Sequence, residues 1–269
     1  MSHADVVLSR LAHEPAVWVT VLSTQGSVPR DAGTWMAVFA GDCVGTIGGG
    51  HVEYQAIAHA RKGLAGQAAA EQRRFALGPS LGQCCGGVMV LQFEPVTAAS
   101  QDMLRQRMRA ALMPVALFGG GHVGQALVQV LARLPFAVRW IDSRDEVFPA
   151  ALPETVQTEY SDPVQAAVAD LAAHSRVLIM SFSHAEDLDI VAACLQRVRA
   201  RGDLPYVGLI GSRTKWATFR HRLQERGFAD DELARITCPI GIAGVPGKEP
   251  EVIAIAVAAQ LLQLRDAGV

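Results

Sequence analysis

The chain has 269 residues, half of them apolar, and carries 24 basic against 26 acidic side chains, so that charged residues make up only 19%. That is ample apolar material for about two domains, and too little charge for a disordered chain or a general polyanion-binding surface. The longest strongly apolar stretch, 252–262, is too short to span a bilayer and contains Gln260. No basic segment precedes an apolar core near Met1, so no secretory signal is expected. Five cysteines, at 43, 84, 85, 194 and 238, form an odd set with an adjacent pair, which suits no disulfide framework. The composition points to a cytoplasmic globular protein with neither a membrane nor a nucleic-acid partner.

Read in chain order, the first part is mixed. A short helix over 5–13 is followed by an apolar run, 16–22, ending at Thr24-Gln-Gly-Ser-Val-Pro-Arg30. Strands over 34–40 and 43–47 flank Gly41-Asp42 as a hairpin, and Gly48-Gly-Gly50 opens a helix over 51–64. A strand over 73–77, a loop from Gly78 to Gly87 holding Cys84-Cys85, and an alternating strand over 88–93 complete a small α+β domain, 1–96. Residues 97–113 read as a helical connector.

From Pro114 the pattern changes. Apolar runs at 115–118, 138–141, 177–180 and 206–210 alternate with helical stretches at 123–133, 163–173, 187–199 and 214–226. Such alternation is the signature of βαβ units and a parallel sheet. The fold class is therefore α/β, with a Rossmann-like domain over 114–269 behind the smaller α+β domain. A last helix over 250–264, with Pro near its start and one apolar face, should pack on one domain or dock between them.

Three glycine loops carry the chemistry. Gly119-x-Gly121-x-x-Gly124 lies directly after a strand and opens a helix, the context in which backbone N–H groups and the helix N-terminus receive a phosphate. His122 within it can donate to that phosphate, and Asp142, 18 residues after Gly124, is placed to bind ribose hydroxyls. Gly48, Gly49 and Gly50 repeat the arrangement in the first domain. Gly211-Ser212-Arg213-Thr-Lys215 follows a strand in the same way, with Ser212 a candidate N-cap and two cations beside it. Cys84 and Cys85 sit among glycines, whose N–H groups can favour a thiolate suited to a soft metal. A dehydrogenase would need an acid–base residue beside its nicotinamide, and no Tyr-x-x-x-Lys pair occurs.

In order along the chain come Gly26-Ser-Val-Pro-Arg30, Gly45-Thr-Ile-Gly-Gly-Gly50-x-x-Glu53, Gln83-Cys-Cys-Gly-Gly87, Phe118-Gly-Gly-Gly-His-Val-Gly124, Asp142-Ser-Arg144, Gly208-Leu-Ile-Gly-Ser-Arg213 and Pro239-Ile-Gly241. Together they resemble the xanthine dehydrogenase accessory protein family, the XdhC-type molybdenum cofactor chaperones, over about 16–262. The resemblance implies a non-catalytic carrier. It would hold molybdenum cofactor (molybdopterin), protect it while a cysteine desulfurase exchanges an oxo ligand for sulfido, and pass it to the xanthine dehydrogenase large subunit in purine catabolism. The family's cysteine before Gly-Gly falls on Cys85, the residue expected nearest the molybdenum, with Cys84 the adjacent alternative. Arg30, Arg213 and Lys215 would supply positive charge. Two departures stand out: only His184 remains where the family commonly has two histidines, and the segment Pro239-Ile-Gly-Ile-Ala-Gly244 lacks the usual acid. The rival class is an NAD-dependent oxidoreductase resting on Gly119–Gly124 and Asp142. A homodimer is expected, because a carrier must shield a buried cargo.

Overall fold

The computed structural model describes residues 3–66, 69–77 and 86–266. The chain divides into two compact units, Met1–Ala111 and Leu112–Val269.

The first unit runs α1 (His3–Leu11), β1 (Ala16–Gln25), β2 (Trp35–Val38), β3 (Cys43–Gly45), α2 (Gly50–Gly66), β4 (Glu71–Ala76), β5 (Val88–Val96) and α3 (Gln101–Ala110). Its strands form an antiparallel sheet in the order β3-β2-β1-β5-β4. Strand β1 is central, and its first part, Ala16–Val21, is covered on both sides, which is why that part is apolar except for Thr20. Val17, Val19 and Val21 face one core with Val52, Ala56 and Ala60 of α2, and the alternate residues Ala16 and Trp18 face another with Val7, Leu11 and Leu104. The buried stripe of α2 recurs every four residues, the spacing of one helix face. Residues 97–113, expected as a connector, are largely α3, and its Leu104 is part of this unit's core.

The second unit runs β6 (Met113–Phe118), α4 (His122–Leu131), β7 (Phe136–Asp142), β8 (Val156–Tyr160), β9 (Arg176–Ile179), α5 (His184–Arg201), β10 (Tyr206–Leu209), α6 (Arg213–Glu225), α7 (Asp230–Leu233), β11 (Ile236–Thr237) and α8 (Pro250–Asp266). All pairings are parallel, and the order is β11-β10-β9-β6-β7-β8. The chain builds outward from β6 through β7 to β8, then returns to start β9 on the other side. The order therefore reverses between β6 and β9, where open α/β sheets bind their ligands. Val115 and Leu117 of β6 face α4 and α8, while Ala116 and Phe118 face α5. The last helix packs on this unit: Ala254, Val257, Ala258 and Leu261 lie in one core with Leu127, Val128 and Leu131 of α4.

One expectation is corrected, and two strands have no counterpart in the sequence reading. The helix expected over 163–173 is a 3-10 stretch, Val164–Asp170. Strand β8 is an edge strand with largely exposed polar positions, and β11 has two residues; neither carries enough apolar pattern to have been read as a strand. No helix among the described residues is long and apolar enough to cross a membrane.

Candidate functional site

Strand β6 ends at Phe118, and the chain turns through Gly119, Gly120 and Gly121 into α4. The glycines of this loop have different reasons to be there. Gly119 has φ +124°, and a methyl group on it would overlap the Met180 carbonyl. A methyl group on Gly120 would press on Val147, and one on Gly124 on the Gly119 carbonyl. Those three are required by packing. Gly121 is not: its φ is −70°, open to any residue, and among the described residues nothing beyond its own chain neighbours and helix backbone lies within 4 Å of where its side chain would be. It stands at the N-cap of α4 without a capping side chain, so the first-turn N–H groups that no helix can satisfy internally face outward there. His122 is exposed beside it. The rest of the loop is tied inward. Gly119 N–H donates to Ile141 O (2.8 Å), and Trp140 Nε1 donates to Gly119 O (2.9 Å).

Asp142 closes this loop from the end of β7. It is 1% exposed, and both oxygens are engaged. Oδ2 accepts from Gly120 N (2.6 Å) and Arg144 Nη2 (3.0 Å); Oδ1 accepts from Arg144 N and Nε, each at 2.9 Å. The expectation that Asp142 binds ribose hydroxyls thus meets a carboxylate already used as a strut, which in turn raises the Arg144 pKa and keeps its guanidinium charged.

The loop after β10 is filled in a similar way. Ser212 Oγ accepts from Lys215 N (3.1 Å), so this serine caps α6 as its position suggested. Lys215 Nζ, expected to face a ligand, instead donates to Asp187 Oδ2 (2.7 Å) and Ile210 O (3.0 Å). Asp187 is 2% exposed and also receives Ser181 N (2.8 Å) and Oγ (2.7 Å). A buried aspartate needs these partners, and Lys215 is the cation that compensates it. Arg213 is exposed.

In the first unit the structure brings together three of the sequence motifs. A methyl group on Gly26 would sit 3.2 Å from Gly87 Cα, and Gly87 lies against the Gln25 and Ser27 carbonyls. Three and four residues on from Gly26, Pro29 and Arg30 meet the second loop, where a methyl group on Gly48 would be 2.6 Å from Pro29 Cβ. Arg30 itself is exposed. The loop Gly48–Gly50, expected to receive an anion, already holds one. Glu53, in the first turn of α2, points Oε2 back to accept from Ile47 N (2.9 Å), Gly49 N (3.1 Å) and the Thr46 hydroxyl, while Gly48 N donates to Thr46 Oγ1 (3.0 Å). Neither Glu53 nor Arg144 stands out in the sequence as a site residue. The signal for Glu53 was its place in the first turn after Gly50, where a side chain can reach back to loop N–H groups. Cys84 and Cys85 lie outside the described residues. Cys43, Cys194 and Cys238 are free thiols whose pKa values are raised by burial, that of Cys194 to about 12. No group of three or more His, Cys, Asp or Glu among the described residues is arranged to hold a metal ion.

A Rossmann unit with an open helix start at its switch point, preceded by an antiparallel α+β unit rich in glycine loops, defines the class. Residues 115–261 match the XdhC Rossmann domain model, and residues 9–76 match that of the XdhC and CoxI family. The chain belongs to the XdhC family. It is similar to YqeB of Escherichia coli K12, an uncharacterised protein, at 26% identity over 94% of this chain and 44% of that one. The chain thus spans less than half the length of this curated relative. A crystal structure described as a xanthine dehydrogenase from Bacillus halodurans superposes with a TM-score of 0.76 at 20% identity, covering 100% of this chain and 97% of that one. That match shows the shared fold. A Rossmann-fold NAD(P)-binding family protein from Shigella flexneri reaches a TM-score of only 0.35 at 17% identity, over 55% of this chain and 85% of that one, too distant to bear on the ligand.

Proposed function

We propose that the chain is a carrier of molybdenum cofactor that serves the maturation of xanthine dehydrogenase. Membership of the XdhC family supports this reading, and one observation in the structure carries it: Gly121 is the glycine of its loop that the fold does not need. A residue without a side chain, at an uncapped helix start facing open space, suits a phosphate that must approach the backbone closely. The cargo is a pterin bearing such a phosphate and a dithiolene-held molybdenum. In this reading Gly121 and His122 receive the phosphate, and Arg30 adds charge in the first unit. Cys85, or the adjacent Cys84, offers sulfur to the metal. The carrier would shield the cargo while a cysteine desulfurase partner acts, hand it to the large subunit of xanthine dehydrogenase, and work as a homodimer. The NAD alternative loses its second support, because Asp142 is occupied by Gly120 and Arg144.

The test is anaerobic co-purification with molybdenum analysis and detection of oxidised pterin by fluorescence. Gly121→Val should stay folded, losing no more than the about 1 kcal/mol of a poorer N-cap, and weaken cofactor binding at least ten-fold, about 1.4 kcal/mol. Cys85→Ser should lose molybdenum while still binding metal-free pterin, because a serine oxygen is a poor soft donor, and Cys84→Ser should lose less. Unchanged affinity in Gly121→Val would remove the phosphate site, and full molybdenum retention in both serine variants would leave the metal held by its own cofactor alone. A sedimentation mass near the 28.7 kDa of one chain across micromolar concentrations would exclude the homodimer.

A further inference from the structure

The geometry points to a nucleotide site at the carboxyl end of the parallel sheet, in which the base stacks on Phe182 and Arg144 and the sugar hydroxyls go unread. The proposal deepens the phosphate-loop reading and rests on it. Phe182, just after β9, is 65% exposed, whereas the other phenylalanines of this unit's cores are buried or packed against them. The ring is nonetheless held in place. Arg144 Cζ lies 4.3 Å from its centroid and covers one side. That guanidinium is in turn fixed by its two-pronged pair with Asp142. Phe182 N donates to Glu186 Oε2 (3.2 Å), and Ser143 Oγ donates to Glu186 Oε1 (2.7 Å), so one carboxylate ties the loop after β9 to the loop after β7. The result is an aromatic ring and a planar cation, both immobilised and open to solvent, which is the surface on which a nucleic base stacks irrespective of its identity.

This platform is on the same rim as the open helix start. The Gly119 backbone packs on the Met180 carbonyl, and Gly121 and Phe182 are each two residues further along their loops, at most about 7 Å of chain from that contact. Asp142 lies between them in the position from which dinucleotide enzymes grip the ribose diol. Here it is buried and fully engaged, so it offers the sugar no free acceptor. A ligand recognised by phosphate and base alone should bind equally well with a ribose or a deoxyribose.

Isothermal titration of the full chain with nucleoside monophosphates, their 2′-deoxy forms, the free nucleosides and inorganic phosphate tests this. At least one monophosphate should bind about ten-fold or more tightly than its nucleoside or phosphate alone, and its deoxy form should match it within about two-fold. Phe182→Ala should weaken the monophosphate about ten-fold and leave inorganic phosphate unchanged, and Phe182→Tyr should restore binding. Because Phe182 is exposed, the fold should tolerate both variants. No monophosphate binding at millimolar concentration, an unaffected Phe182→Ala, or a ten-fold preference for ribose would each overturn the proposal. Phosphate binding by the parent with no monophosphate held more tightly than inorganic phosphate would sink the stacking proposal alone. Intact monophosphate binding in Gly121→Val would instead overturn the loop reading beneath it. If the purified protein carries a nucleotide, its release by simple denaturation identifies a free mononucleotide, and release only after phosphodiesterase treatment identifies the nucleotide end of a larger cofactor.

Discussion

The two strand-to-helix glycine loops look alike in sequence and differ in what fills them. Between β3 and α2, Glu53 folds back so that its carboxylate takes the N–H groups of Ile47 and Gly49, and the protein itself supplies the loop's acceptor. Between β6 and α4, the carboxylate of Asp142 takes the Gly120 N–H from behind, and the helix start at Gly121 is left open. The difference comes from where the acid sits. An acid in the first turn of the following helix reaches over the top of the loop, whereas one at the end of the neighbouring strand reaches only its underside. A run of glycines before a helix therefore shows that an anion can be held, and the position of the nearest carboxylate decides whether the protein supplies that anion itself.

The largest effect expected from this contrast lies within the second loop. Gly119→Ala forces a side chain into φ +124° and against the Met180 carbonyl, with no flexible neighbour to yield. The cost should be about 3 kcal/mol or more, read as a lowered urea midpoint. Gly121→Ala, two residues on, should stay within about 1 kcal/mol of the parent. Equal losses would mean that Gly121 serves the fold after all, and the open site would vanish.

A smaller effect tests the filled loop. Glu53→Ala leaves two backbone N–H groups and the Thr46 hydroxyl without their shared acceptor, which in a half-buried loop should cost about 2 kcal/mol. Glu53→Gln keeps one acceptor oxygen and should recover part of that loss. If the carboxylate is acting as a resident anion, tens of millimolar phosphate should raise the midpoint of Glu53→Ala more than that of the parent. An identical response in both would reduce Glu53 to an ordinary helix-start residue.

Much of the architecture was legible because its signals are local. The switch from mixed strands to strand–helix alternation near Pro114 marks the second unit, and β6 and β7 end close to where their apolar runs end. The edge strand β8 was not legible, because Val156-Gln-Thr-Glu-Tyr160 is polar on one face and partnered on one side only. At the site, the sequence marks which loops contain glycine, but it does not show which side chains turn back into them. Lys215 reads as a free cation until Asp187, 28 residues earlier, is found to hold it. Asp142 reads as a ribose ligand until Arg144, two residues on, is found to take both its oxygens. The first pairing depends on strand order and the second on how the chain turns after β7, neither of which periodicity encodes.

The third glycine loop gives the finest test, at the start of α6. There Ser212 supplies its own cap and Lys215 is turned inward, so the helix start should be closed to the cofactor although Arg213 beside it is exposed. Ser212→Ala should lose about 1 kcal/mol of stability, the ordinary worth of such a cap, without changing cofactor retention. Ser212→Asp separates the two roles more sharply. An aspartate caps as well as a serine and suits the helix dipole, so stability should be kept. The same aspartate adds a negative charge where a bound phosphate would have to sit. If Ser212 only caps, Ser212→Asp should bind cofactor as the parent does, with an unchanged urea midpoint. A normal midpoint combined with a ten-fold loss of cofactor would place the phosphate at α6 instead, and the contrast between the open loop at Gly121 and the filled ones would then be drawn in the wrong place.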